Sequence, residues 1–367
     1  MKITILILST VLTFANSAFG QLDSIYDQGV YRTFIVHEPA GYSPPNQYPL
    51  VLNLHGLSSS ASFQQTYTQF NNVADSLGFI AVYPNAESNS WTTIGNSDVD
   101  FLSNLVDSIR AEYSCNSCLF VTGFSQGGFM TYKFANNTPH AITAIAVGSG
   151  NMSTALQNAS SSAPQIPIMH FHGTDDNIVS YGGAALISPV DSTIQWWVDH
   201  NNCNTIPIIT PIPDLNSTDN STVEKYYYGN GDNDTEVTFY KVIDGGHTWS
   251  GSMPIPTFGS TNQDINQSVI IGSFFADFCS ITLGISQEDS NVSVSLYPNP
   301  FDNQLITQLT PNKVYTLILY DNLSRQILKE TLYGNSTIST DYIPNGIYFY
   351  EIRNTEKQLK TGKVIKN

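Results

Sequence analysis

A serine between glycines stands at Ser125 in TGFSQGGFM, directly after the apolar run CLFV. The pattern G-x-S-x-G, set between a strand and a helix, is the turn that lifts a serine side chain above a sheet. The backbone bends sharply there and needs small neighbours, which Gly123, Gly127 and Gly128 supply. A hydroxyl is a weak nucleophile at neutral pH, so the motif does chemistry only if a base accompanies it. Without one, TGFSQGGFM is a glycine-rich bend with an incidental serine.

Seven histidines are available. In hydrolases with this serine turn the chain order is serine, then Asp or Glu, then histidine. His37 and His55 precede the serine, His140 lies at the end of the following helix, and His200 closes a polar helix. His170 and His172 flank Phe171 on one strand. Sharing a strand face, they could ligate a metal, but no third ligand is placed with them and packing is the better reading. His247, in the glycine-loosened DGGHTW, occupies the position expected of the base. The acid should follow a strand between the two, and HGTDDNIV offers Asp175 and Asp176, either of which could orient the imidazole. An acyl-transfer site also needs donors for a developing oxyanion. The amide of Gln126, next to the nucleophile, and that of Leu57, in the loop LNLHGLSSS, are the expected pair. Trp91 and Trp249, close to these motifs, could wall an aromatic acyl pocket, with burial in the core the equal alternative.

Positioning such groups takes a sheet whose strands end on one side. Between residues 30 and 280 short apolar runs alternate with helical patterns, which predicts an α/β fold with a mostly parallel, doubly wound sheet. YRTFIVHE, PLVLNLHG, FIAVYP, CLFV, AITAIAVGSG, PIMHFHG and EVTFYKVI read as strands. FQQTYTQFNNVADSLG reads as one helix. DVDFLSNLVDSIRAEY places Val99, Leu102, Leu105, Val106, Ile109 and Tyr113 on one helical stripe. DSTIQWWVDHN and DINQSVIIGSFFADF are the later helices, and the polar stretch from Asn204 to Asp234 reads as a surface excursion. Beyond a polar linker at residues 283–292, the alternating runs KVYTLILYD and GIYFYEIR predict a small all-β sandwich over 293–367.

Of the 367 residues, 41% are hydrophobic and 12% charged, against a net charge of −16. Before residue 286 lie only six of the 14 basic residues but 22 of the 30 acidic ones. A domain so acidic repels nucleic acid and favours an uncharged substrate. Lys2, the apolar stretch Ile3 to Phe14 and the small residues up to Gly20 read as a signal peptide over residues 1–20. That stretch is too short for a stable membrane span. In an oxidising compartment the four cysteines are expected to pair, Cys115 with Cys118 and Cys203 with Cys279.

The ordered set LNLHGLSSS, FIAVYPNA, SWTTIGNSDVDFL, VTGFSQGGFMTY, HGTDDNIVSYGG and DGGHTWSG resembles the secreted esterase family of polyhydroxybutyrate depolymerases and feruloyl or acetylxylan esterases. The resemblance implies an α/β-hydrolase fold and a Ser-Asp-His triad on Ser125, Asp176 and His247, the aspartate of the family's HGxxD pattern falling on Asp176. It departs from many members in reading LSSS where they have a glycine-rich loop, and Gln126 where they more often have Asn. LYPNPFDNQL, PNGIYFYEIR and KTGKVIKN resemble the C-terminal sorting domain of the Bacteroidetes type IX secretion system, whose machinery would be the partner. A carbohydrate-binding β-sandwich is the rival for this tail. The expectation is a secreted serine carboxylesterase that needs no metal or organic cofactor. Its expected substrates are feruloyl or acetyl esters of plant polysaccharide, then hydroxyalkanoate polyesters. A non-catalytic polymer-binding relative is the alternative of another class.

Overall fold

A computed structural model describes residues 22–92, 94–159, 163–279, 295–309, 314–321, 326–353 and 358–366. The expected signal peptide and linker lie outside the described residues. The first part runs β1 (Leu22–Asp27), β2 (Val30–His37), β3 (Tyr48–Leu54), α1 (Ala61–Thr68), α2 (Phe70–Leu77), β4 (Ile80–Pro84), α3 (Ser97–Glu112) and β5 (Cys115–Phe124). It continues with α4 (Gln126–Asn137), β6 (Ala144–Gly148), α5 (Thr154–Ala159), β7 (Ile168–Gly173), α6 (Val190–His200), β8 (Ile208–Pro211), β9 (Thr222–Tyr228), β10 (Val237–Ile243) and α7 (Gln267–Phe278).

These strands form one ten-stranded sheet in the order β1-β2-β4-β3-β5-β6-β7-β10-β9-β8. The inner six, β4 to β10 in that order, are parallel, and antiparallel pairs finish both edges. Parallel strands covered on both sides must be apolar on both sides, and β3, β4, β6 and β7 are buried throughout. Alternation sends Leu50, Leu52 and Leu54 into one core and Val51 into the other. On the first face pack Leu102, Leu105 and Ile109 of α3, Met130 and Phe134 of α4, and Trp197 of α6. On the second pack Tyr67 of α1, Phe70 of α2, and Ile271 and Phe275 of α7. The sheet is therefore doubly wound, the α/β-hydrolase arrangement.

Three local expectations are corrected. The single helix read over residues 63–78 is two, because Gln69 takes a left-handed conformation, φ 51°, that breaks it. The polar stretch from Asn204 to Asp234 holds β8 and β9, which extend the sheet past β10; β8 is exposed throughout, so no apolar alternation marks it. The bridge is Cys118–Cys279, with Cys115 and Cys203 free. Cys115 and Cys118 stand three apart on an extended strand and so face opposite sides, Cys115 against the first core and Cys118 against the second. The Cys203 thiol is buried against the Thr235 carbonyl.

The C-terminal part comprises β11 (Ser295–Tyr297), β12 (Gln304–Gln308), β13 (Val314–Tyr320), β14 (Gln326–Tyr333), β15 (Ser336–Ser339), β16 (Gly346–Arg353) and β17 (Gln358–Lys366). They make two antiparallel sheets, β11-β12-β15 and β14-β13-β16-β17. Tyr315, Leu317 and Leu319 of β13 alternate into a core they share with Leu305 and Ile338 from the other sheet.

Candidate active site

Four strand ends supply the site. β5 runs into α4 through Ser125, whose φ of 56° and ψ of −122° lie where a side chain-bearing residue is strained. Close packing holds it there. A Cβ on Gly127 would stand 2.1 Å from the Leu54 carbonyl oxygen, and one on Gly123 would stand 2.4 Å from that of Gly127. The elbow can therefore form only where these two residues lack side chains. The Ser125 amide donates to Gly148 O at the end of β6, and the Ser125 carbonyl accepts the amides of Gly128 and Phe129 in the first turn of α4.

The loops after β7 and β10 are laced together, since Thr174 N donates to Val242 O, Asp175 N to Gly245 O and Asp244 N to Thr174 Oγ1. That lacing brings Asp176 to His247. His247 Nδ1 lies 2.8 Å from Asp176 Oδ2, and His247 Nε2 lies 2.8 Å from Ser125 Oγ. A carboxylate only accepts, so the imidazole donates from Nδ1 and offers its Nε2 lone pair to the serine hydroxyl. Asp175 is exposed, whereas Asp176 is buried and its Oδ1 accepts the amides of Ile178 and Val179. Geometry thus selects Asp176 of the two candidates. Burial pushes its carboxyl up, but the hydrogen bonds and charges of His172 and His247 outweigh burial and hold it below the usual carboxylate range.

The loop after β3 lies against the nucleophile, an added Cβ on Gly56 falling 3.3 Å from Ser125 Cβ. Buried His55 fixes this loop. Its Nε2 accepts the Ala86 amide at 3.0 Å, so its proton sits on Nδ1, which donates to Gly56 O at 2.7 Å. Burial lowers its pKa and keeps the ring neutral. Holding the Gly56 carbonyl on one side of a planar trans peptide turns the Leu57 N–H to the other. Among the described residues neither that amide nor that of Gln126 has a backbone acceptor.

Trp91 and Trp249 are 2% and 1% exposed, so of the two readings burial in the core applies and the pocket wall is corrected. Trp91 Nε1 donates to His55 O, behind the β3 loop, and Trp249 Nε1 donates to Ser268 Oγ, on the first turn of α7. Both are packed behind loops that carry the candidate site residues. The Gln126 side chain does more than stay out of the way, since it accepts from Trp91 N and donates to Trp91 O and Ser90 Oγ. His55 and the Gln126 side chain were missed in the sequence; the only available signal was their place beside the HG and serine motifs. His170 and His172 hold no open metal site, because their nitrogens are engaged by Tyr132, each other and Val179 O.

Two segments of the chain match known families. Residues 92–204, which include Ser125 and Asp176 and stop short of His247, match the family described as Phospholipase/Carboxylesterase. Residues 295–367 match the Secretion system C-terminal sorting domain, so the chain is a secreted protein. Over 158 residues the chain is 33% identical to a bifunctional acetylxylan esterase/xylanase of Neocallimastix patriciarum, covering 42% of this chain and 23% of that protein. Over 188 residues it is 27% identical to a probable feruloyl esterase C of Aspergillus clavatus, covering 49% of this chain and 65% of the relative. The chain thus spans less than two thirds of either relative. An acetyl xylan esterase from Aspergillus awamori superposes with a TM-score of 0.47 at 17% identity, over 62% of this chain and 94% of the other.

Proposed function

We propose that the first part of the chain is a serine carboxylic-ester hydrolase acting through an acyl-enzyme. One observation carries the reading: the unbroken line from Ser125 Oγ through His247 to buried Asp176, both links at 2.8 Å. His247 Nε2 takes the hydroxyl proton as Ser125 Oγ attacks the ester carbonyl, and Asp176 holds the imidazole and stabilises its charged form. The carbonyl electrons move to oxygen, where the amides of Leu57 and Gln126 meet the charge at the N-terminus of α4. Collapse expels the alcohol, which takes the proton from His247. Water, deprotonated by the same imidazole, then releases the acid and regenerates Ser125.

For the substrate we favour acetyl or feruloyl esters of plant polysaccharide. The relatives named for those esters support this choice, as does the acidic first part, which suits an uncharged polymer. Leu57, 59% exposed, and Phe258, its ring edge-on to His247, provide apolar surface beside the triad for the acyl group. We further assign residues 1–20 to a signal peptide, 21–282 to the esterase domain, 283–292 to a linker and 293–367 to the sorting domain that engages the secretion machinery.

The test compares turnover of methyl ferulate, acetylated xylan and a polyhydroxybutyrate film by the wild type and Ser125→Ala. Loss of all hydrolysis in the variant is expected, and activity that survives it rejects the mechanism. Hydrolysis of the film alone would replace the polysaccharide assignment by a polyester one.

A further inference from the structure

Behind the triad runs a file of side chains that the proposed chemistry does not use. Tyr132 on α4 and His170 and His172 on β7 are buried, each at most 1% exposed. Tyr132 Oη lies 2.8 Å from His170 Nδ1, His170 Nε2 lies 3.3 Å from His172 Nδ1, and His172 Nε2 lies 2.8 Å from Val179 O. The same His172 Nε2 is 3.4 Å from Asp176 Oδ2.

The end of this file fixes the direction of every bond in it. A carbonyl only accepts, so His172 carries its proton on Nε2 and, when neutral, presents a bare Nδ1. His170 Nε2–H fills that lone pair, which leaves His170 Nδ1 to accept from the Tyr132 hydroxyl. Burial lowers the His170 pKa well below its ordinary value, as a neutral ring in this arrangement requires. His170 and His172 lie almost parallel, 5° apart, with Phe239 tilted against His170 and Tyr181 edge-on to His172.

The file ends on the residue whose amide holds the Asp176 carboxylate. Val179 N–H donates to Asp176 Oδ1, while the Val179 carbonyl accepts from His172. His172 therefore grips, from the far side, the segment that grips Asp176, and its Nε2–H also faces the carboxylate oxygen used by His247.

We propose that His172 is a positioning residue for the triad: the donor file Tyr132–His170–His172 locks its proton on Nε2, and that N–H fixes Val179 and Asp176 in register with His247. The inference rests on the esterase reading. It is tested with His172→Gln, whose amide nitrogen reaches the place of Nε2, and His172→Asn, whose shorter side chain reaches only that of Nδ1. The readouts are kcat and KM for p-nitrophenyl acetate and the low-field proton resonance of His247 Nδ1–H, identified by its absence in His247→Ala.

The Asn variant should lose about tenfold or more in kcat with KM changed by less than about twofold, and its low-field resonance should move or vanish. The Gln variant should keep kcat within about threefold, with the resonance in place. Two variants that retain wild-type kcat and resonance overturn the proposal. So do two that fall equally, in rate or in yield of folded protein, which would assign His172 to packing. The resonance reads the His247–Asp176 bond whatever is hydrolysed, so failure here is distinct from activity surviving Ser125→Ala.

Discussion

Replacing Gly127 by alanine tests whether the elbow and the β3 loop act as one rigid piece. The added Cβ would meet the Leu54 carbonyl oxygen at 2.1 Å and that of His55 at 2.6 Å, where real Cβ contacts essentially never fall under 3.0 Å. Both obstacles are backbone, so no side chain can swing away. The end of β3 and the start of α4 must part by about 0.9 Å, the shortfall on the first contact. That movement separates Ser125 from the loop that carries the Leu57 amide. A displacement near 1 Å in a catalytic constellation costs roughly a hundredfold in rate, or about 2.7 kcal/mol of transition-state stabilisation. Overpacking adds about 1–3 kcal/mol of lost stability. The assay is kcat and KM for p-nitrophenyl acetate, beside thermal unfolding followed by circular dichroism. Gly182→Ala is the control, since its Cβ would find only Ser180 Oγ at 3.8 Å, and it should leave both measurements unchanged. If Gly127→Ala keeps kcat/KM within about twofold of wild type, the coupling of elbow and oxyanion loop is refuted.

Cys118→Ser should lower the thermal midpoint by roughly 5–15 °C, because the bridge it opens spans 161 residues and such long loops contribute about 2–5 kcal/mol. Cys115→Ala should cost under about 1 kcal/mol, and equal losses in the two would contradict the assigned pairing. Stability should also fall as the solution is acidified. His55 and His170 have folded pKa values below 6.5, so each is neutral when folded and takes up a proton in the unfolded chain first. Their contribution is complete above about pH 6.5 and is lost below it at up to about 1.4 kcal/mol per pH unit for each. Urea midpoints measured from about pH 8 down to about pH 5 should therefore fall, and a flat profile would reject the neutral assignment.

The parallel strands were legible because sheets buried on both faces need unbroken apolar runs, as in PLVLNL and IMHF. Ser125 and His247 were legible because chain order and glycine-rich turns are local properties. The choice of Asp176 over Asp175 was not local; it depends on which carboxylate the loop after β7 turns inward, and only the family resemblance anticipated it. β8 hid because an edge strand buries little and tolerates Pro and Thr, and β9, one strand in, fully buries only Val223. The disulfide was misread because closeness in sequence was taken for closeness in space, whereas an extended strand separates Cys115 from Cys118 by its own alternation. Trp91 and Trp249 were misplaced because adjacency to a motif does not say which side of the backbone a ring occupies.

The Cys118–Cys279 bridge has a mechanical meaning for a chain drawn out by its C-terminus. Cys279 caps α7, and everything downstream, sorting domain included, is tethered through it. Pulling force arriving along the backbone meets the disulfide before it meets the helix and passes into β5, the central strand that ends at the nucleophile. α7 is spared from being peeled away, and the load is spread across strands paired on both sides. Tension on the tail therefore does not begin by unravelling the first part of the chain from its last helix.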